Sequence, residues 1–141
     1  MNPFRSRREY EEYIYTLPLR HPIVASSTLV VAQRGARVLT LTGELIFRSG
    51  YRLKVRERLT FDAASLRMES YGYEVWRDSE QLFWYDSQPH PDDPALAATD
   101  PHHKHIPPDI KHHRVPAPGL SFTRPNLPVL IQEIESLLAI S

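Results

Sequence analysis

Six of the seven histidines lie between His90 and His113, in a segment also crowded with proline and aspartate. It reads Tyr85-Asp86-Ser87-Gln88-Pro89-His90-Pro91 and, further on, Asp100-Pro101-His102-His103-Lys104-His105. A packed core has no use for that composition, so the segment calls for a chemical explanation. In an extended backbone His103 and His105 point one way, His102 and Lys104 the other. Imidazoles titrating at about pH 6.5 can serve as base and acid in phosphodiester cleavage. A lysine beside them can neutralise the charge that builds on phosphorus. With His90, His102, His103, Lys104 and His105 in these roles, no metal is needed. Alternatively, Asp86, His90, His103 and His105 offer ligands for Zn²⁺ or Mn²⁺, although His-x-His alone has no further ligand at a diagnostic spacing. The plainest reading is a polar surface loop whose histidines cap backbone groups. His112 and His113 follow Lys111 and add only background.

A second constellation lies upstream. Arg52, Lys54, Arg56 and Arg58 alternate with Tyr51, Leu53, Val55 and Leu59, so one strand carries a basic face and an apolar face. With Tyr71 and Tyr73 alongside, the basic face offers cations for phosphate and rings for base stacking. It can equally be a solvated outer face whose charges pair with Glu44 and Glu69. Glu57 breaks the apolar row. A carboxylate there must be paired or protonated, which makes it a candidate base or a structural partner of Arg or Tyr. Glu74 on the next strand carries the same ambiguity.

The elements that must position these groups are legible from period and punctuation. Ser6-Arg7-Arg8-Glu9 is a capping box, and Tyr10, Tyr13, Ile14 and Leu17 form one apolar stripe up to Pro18. This predicts a helix over residues 7–17. Period-two segments follow at 24–33, 37–48, 51–61, 66–77 and 81–85, separated by turns too short for anything but antiparallel pairing. If Gly50 takes the left-handed position of a three-residue loop, Phe47 pairs with Tyr51. Glu44 then lies opposite Lys54, Thr42 opposite Arg56, and Thr40 opposite Arg58. A four-residue loop after Phe61 would set Glu69, Tyr71 and Tyr73 opposite Arg58, Arg56 and Lys54. Residues 86–123 are proline-rich and aperiodic, which in a compact domain marks a segment that is either functional or disordered, and a functional loop is expected here. Asn126 is a candidate N-cap for a closing helix over 126–140, with Val129, Ile131, Ile134, Leu137, Leu138 and Ile140 at helical spacing.

The expected architecture is a single α+β domain over residues 1–141. An antiparallel meander of about five strands, residues 24–85, carries the N-terminal and C-terminal helices on one face. A chain of 141 residues has room for one core, and 41% apolar with 24% charged residues excludes wholesale disorder. A net charge of zero means that any nucleic-acid binding must come from a local patch. The absence of cysteine excludes disulfides and thiolate metal sites and suits a reducing compartment. No apolar run reaches the roughly 18 residues that span a bilayer, and charge follows Met1-Asn2-Pro3-Phe4 at once, so a cytoplasmic location is expected.

Taken in order, several short motifs resemble the TumE-like family of toxins from toxin–antitoxin pairs. They are Ser27-Thr28-Leu29, Gly43-Glu44-Leu45-Ile46-Phe47, Gly50-Tyr51-Arg52-Leu53, Arg56-Glu57, Tyr71-Gly72-Tyr73, Tyr85-Asp86, Pro89-His90-Pro91 and Pro101-His102-His103-Lys104-His105. Two positions depart from the family pattern. Trp84 stands where an arginine is expected, and a histidine pair after proline is reduced to His90-Pro91. The resemblance implies a small toxin neutralised by a cognate antitoxin, with RNA the common target of toxins this size. It assigns no catalytic residue. Residues and resemblance together lead to a metal-independent endoribonuclease. In it His90 and His102–His105 supply acid and base, Lys104 and Arg56 hold phosphate, and Glu57 orients or accepts a proton. The alternatives are a metal-dependent phosphodiesterase or nuclease, and a non-catalytic module that binds nucleic acid or protein. No cofactor is favoured, with Zn²⁺ or Mn²⁺ the alternative, and an open edge strand would allow a homodimer.

Overall fold

A computed structural model describes residues 2–140. Among them are three α-helices, α1 (Arg7–Tyr15), α2 (Leu17–Arg20) and α3 (Leu127–Ala139). The strands are β1 (Ser26–Ser27), β2 (Val30–Gln33), β3 (Val38–Ile46), β4 (Tyr51–Phe61), β5 (Leu66–Arg77), β6 (Glu80–Asp86), β7 (His103–His105) and β8 (Arg114–Pro116). All eight join one antiparallel sheet, in the order β1-β3-β4-β5-β6-β7-β8 with β2 also paired to β3. The α+β class and the meander hold; five strands is too few.

The additional strands have two origins. The expected first strand splits into β1 and β2 at Thr28 and Leu29, where Leu29 is buried in the core and Thr28 Oγ1 takes the Glu44 N–H, while the register against β3 continues unchanged. Opposite the break, Gly43 has φ +135°, and a side chain there would meet the Thr28 carbonyl oxygen at 2.5 Å. Strands β7 and β8 come from the supposedly structureless loop. Three residues each, rich in His and Pro, are too short to show a period, and they become strands by pairing onto β6.

The helix ends also differ from expectation. Ser6 caps α1 through Oγ, which accepts from the Glu9 N–H at 3.1 Å. Pro18 does not stop the chain there; it occupies the first turn of α2, where a missing N–H is tolerated. Asn126 holds the N-cap position of α3 but makes no side-chain cap. Buried instead, it accepts from the Ser121 N–H at 2.8 Å and donates to Tyr73 Oη at 3.2 Å.

The hairpin at Gly50 follows the expected register. Phe47 N–H donates to the Tyr51 carbonyl, and Thr40, Thr42 and Glu44 face Arg58, Arg56 and Lys54. The next hairpin does not. Phe61 faces Leu66 as a four-residue loop requires, but the ladder slips between Arg58 and Leu59, so Arg58 faces Ser70. The extra residue, Glu69, moves everything beyond it by one position, and a one-residue slip exchanges the faces. Tyr71 and Tyr73 therefore sit beside Glu57 and Val55 on the apolar face, not beside the arginines. That face packs under α1 and α3 as the single core, with Leu41, Leu53, Leu59, Ile14 and Ile134 all buried. No described helix is long and apolar enough to cross a membrane.

Candidate functional site

The pairings place the polar residues in rows across the face opposite the helices. One row runs Thr42, Arg56, Gly72, Asp86, His103, Pro116. The next runs Glu44, Lys54, Glu74, Trp84, His105, Arg114. Arg56 thus shares a face and a row with His103, and Gly72 leaves the space between Arg56 and Asp86 without a side chain. The Arg56 guanidinium lies over that gap, its Nη2 2.4 Å from where a Gly72 Cβ would stand. Arg56 and Asp86 line one cavity of about 390 Å³.

At the far end of the row three side chains converge. His103 Nε2 lies 2.7 Å from Asp86 Oδ1 and 3.1 Å from His105 Nε2, and His105 Nε2 lies 3.5 Å from Asp86 Oδ2. Both imidazoles are buried. His103 Nδ1 is 3.0 Å from the Pro101 carbonyl, which can only accept, so Nδ1 carries the proton and Nε2 faces the cluster. His105 is held by Trp84, whose indole stacks on it at 3.6 Å between ring centres and 6° between planes. Trp84 Nε1 donates to the Ile110 carbonyl at 3.0 Å, and His105 Nδ1, directed toward the same carbonyl, makes no hydrogen bond of ordinary geometry. The His90 ring stands edge-on to His103, 4.7 Å between centres, and the His90 backbone N–H donates to Asp100 Oδ1 at 2.9 Å.

The environment pulls the three groups apart in charge. Burial works to raise the Asp86 pKa, but the bond from His103, the Gln88 N–H and the neighbouring imidazoles outweigh it and leave it below the usual value. Burial works to lower that of His103, but the bonds to Asp86 and the Pro101 carbonyl raise it overall. For His105 burial prevails over Asp86, and the value falls. Arg114, next to His105 in its row, opposes protonation of both imidazoles.

The other predicted site residues are dispersed. Lys104 projects to the helix side, where Nζ meets Glu133 Oε2 at 2.8 Å and lies 4.1 Å from the Phe83 ring centre. His102 pairs with the Tyr71 hydroxyl at 2.6 Å and packs against Phe122, and burial lowers its pKa. Glu57 is buried on the helix side, accepting from Tyr10 Oη at 2.7 Å and from Tyr73 Oη. The sheet therefore separates Glu57, Lys104 and His102 from His103 and His105. Tyr71 and Tyr73 stack on each other in the core, and their rings present no face to a base. In the basic row, Arg52 pairs with Glu44 at 2.9 Å and Arg58 with Glu69 at 3.1 Å. Lys54 and Arg56 are exposed and form no ion pair among the described residues.

The Toxin TumE family model matches residues 12–138. The chain belongs to the TumE toxin family. The match spans the sheet, the histidine segment and nearly all of α3, so the Asp86–His103–His105 cluster lies wholly within the TumE region. No curated protein and no solved structure matches the chain.

The sequence reading gave no site role to three residues of this candidate site. Gly72 enters only within the Tyr71-Gly72-Tyr73 motif, and its role appears once Arg56 is found lying over it. Arg114 sits in an aperiodic stretch, and Trp84 registers only as a departure from the family pattern. A methyl at Gly72 would meet Arg56 Nη2 at 2.4 Å and Cζ at 3.0 Å, far inside ordinary contact. Gly72→Ala is therefore expected to fold normally, because the Arg56 tip is free to swing aside. Under the RNA-directed reading proposed below, its affinity for RNA falls like that of Arg56→Ala, with the salt dependence reduced by about one phosphate contact. Filter binding at several salt concentrations measures both, and an unchanged salt slope in both variants would remove Arg56 from the interface.

Proposed function

We propose that the protein is an RNA-directed toxin whose Asp86, His103 and His105 form a divalent-metal centre for phosphodiester cleavage, restrained in the cell by a cognate antitoxin. The observation carrying this reading is the convergence of His103 Nε2, His105 Nε2 and the Asp86 carboxylate, all within 4.8 Å of one another. Ligands about 2.1 Å from a metal stand roughly 3.0–3.4 Å apart in octahedral or tetrahedral geometry. The two imidazole nitrogens, 3.1 Å apart, fall in that range, and each lies near one Asp86 oxygen, His103 Nε2 2.7 Å from Oδ1 and His105 Nε2 3.5 Å from Oδ2. The Pro101 carbonyl on His103 Nδ1 is the kind of outer partner that orients a ligating imidazole.

The same distances weigh against the metal-independent mechanism. In-line cleavage needs a base at the attacking oxygen and an acid at the leaving oxygen, on opposite sides of phosphorus. Here the two Nε2 atoms face each other and share one carboxylate. Lys104, intended to neutralise the phosphorane, is on the other side of the sheet.

In the proposed site Asp86, His103 and His105 hold the ion, which would supply Lewis-acid polarisation and a hydroxide near neutral pH. Arg56, across the Gly72 gap, anchors a phosphate oxygen. Roughly 10 Å, two strand spacings, separates the Arg56 and Asp86 backbones, a span that the arginine side chain and one phosphate group can fill. His90, at the edge of the cluster, is placed to protonate the leaving oxygen. The test is incubation of chelator-treated protein with single-stranded RNA, in EDTA and with Mn²⁺ or Zn²⁺ restored. Intact RNA in EDTA and cleavage with metal are expected. Undiminished cleavage in EDTA would return the chemistry to the imidazoles alone, and tight binding without cleavage under any condition would make the protein a binding module.

A further inference from the structure

Beside the cluster, on the same face, is a second cavity of about 340 Å³ whose walls include Trp84, Lys54, Arg56, Glu74 and Gly72. We infer that it is a nucleobase subsite, with Trp84 as the stacking platform. The inference rests on the RNA-directed reading above and narrows its substrate to single strands.

The geometry of Trp84 is the main argument. One face of its indole is occupied by His105, nearly parallel and 3.6 Å away on β7. Rings stacked along a row have their planes across it, so the other face looks back toward β5, where the cavity lies. The bond from Nε1 to the Ile110 carbonyl fixes the ring in that orientation. A rigid aromatic plane with one face packed and one face on a cavity needs no rearrangement to stack a base.

The cations support the same assignment. Arg52 and Arg58, at the two ends of the basic row, are already paired to carboxylates, whereas Lys54 and Arg56, which line the cavity, have no such pair among the described residues. Arg56 also lines the cavity that contains Asp86. A base against Trp84 therefore has its phosphate at Arg56, between the platform and the proposed metal centre. One nucleotide spans the two cavities, and the scissile bond follows it. A base inside a duplex is stacked on both faces and cannot enter, so the subsite selects unpaired RNA.

Trp76 is the other tryptophan, so a Trp76→Phe protein reports on Trp84 alone by fluorescence. Adenosine 5′-monophosphate is titrated into it without added metal, with ribose 5-phosphate as the control. The expected result is saturable quenching by the nucleotide and none by the sugar phosphate. Lys54→Glu, an exposed change that leaves the core untouched, should weaken the nucleotide several-fold. Trp84→Leu should weaken binding of a single-stranded oligonucleotide about tenfold or more. Equal quenching by sugar phosphate and nucleotide, or no quenching at millimolar concentration, would overturn the subsite. Because no metal is present, the outcome is independent of cleavage: quenching by a protein that never cleaves RNA leaves the subsite standing and removes the proposed metal chemistry.

Discussion

Asp86→Ala is expected to lose metal-dependent RNA cleavage by at least about a hundredfold, and with it any growth arrest on expression. Asp86 is the one anionic member of the cluster and meets both imidazoles, at 2.7 and 3.5 Å. Loss even of an outer partner of a metal site typically lowers affinity or activity about 10–100-fold, and a direct ligand should cost more. The change leaves two buried imidazoles facing each other without a counter-charge, so His103 loses the bond that raises its pKa. Asp86→Asn is the companion variant, because it keeps the shape and the accepting oxygen while removing the charge. Circular dichroism separates loss of fold from loss of chemistry. A folded Asp86→Asn protein that cleaves at the wild-type rate would contradict the assignment.

Glu57→Leu is expected to destabilise the fold by about 4 kcal/mol, from two buried donors orphaned at about 1–3 kcal/mol each. Tyr10 and Tyr73 both donate to Glu57, and neither hydroxyl has water to turn to. Against a total of about 5–15 kcal/mol for an ordinary domain, this is enough to bring the protein near unfolding. Urea denaturation gives the number directly. Glu57 also gives stability a pH dependence. Burial raises its pKa, and the tyrosine hydrogen bonds offset that only in part. The folded state thus binds its proton more tightly than the unfolded chain does. The associated stability is complete below the unfolded value, about 4.5, and is lost as pH rises through the higher folded value. Glu57→Gln should remove that slope. A wild-type protein whose stability relative to Glu57→Gln is flat from pH 4.5 upward would show that Glu57 is not held toward its neutral form.

The sequence carried the two-faced β4 strand and the β3–β4 register because alternation and Gly50 each constrained the same pairing. It did not carry the bulge at Glu69. An extra residue in a strand has no local signature when its neighbours, Met68 and Ser70, suit either face. That single residue decided whether Tyr71 and Tyr73 met the arginines or the core. In the histidine segment, parity separated His103 and His105 from His102 and Lys104, as the structure has it. Assigning all four to one site failed because β7 is inserted into the sheet, which then stands between them. A three-residue strand has no period to announce that insertion. Gly72 and Trp84 acquire meaning only through side chains brought alongside from neighbouring strands, Arg56 in one case and His105 in the other.

Equilibrium dialysis of Zn²⁺ and Mn²⁺ against the wild-type protein and its His103→Gln and His105→Gln variants tests the central claim most directly. The structure predicts one ion per chain for the wild type and affinity at least about tenfold weaker in each folded variant. A wild-type protein that takes up neither ion at micromolar concentration, or variants that bind as tightly as it does, would contradict the metal centre.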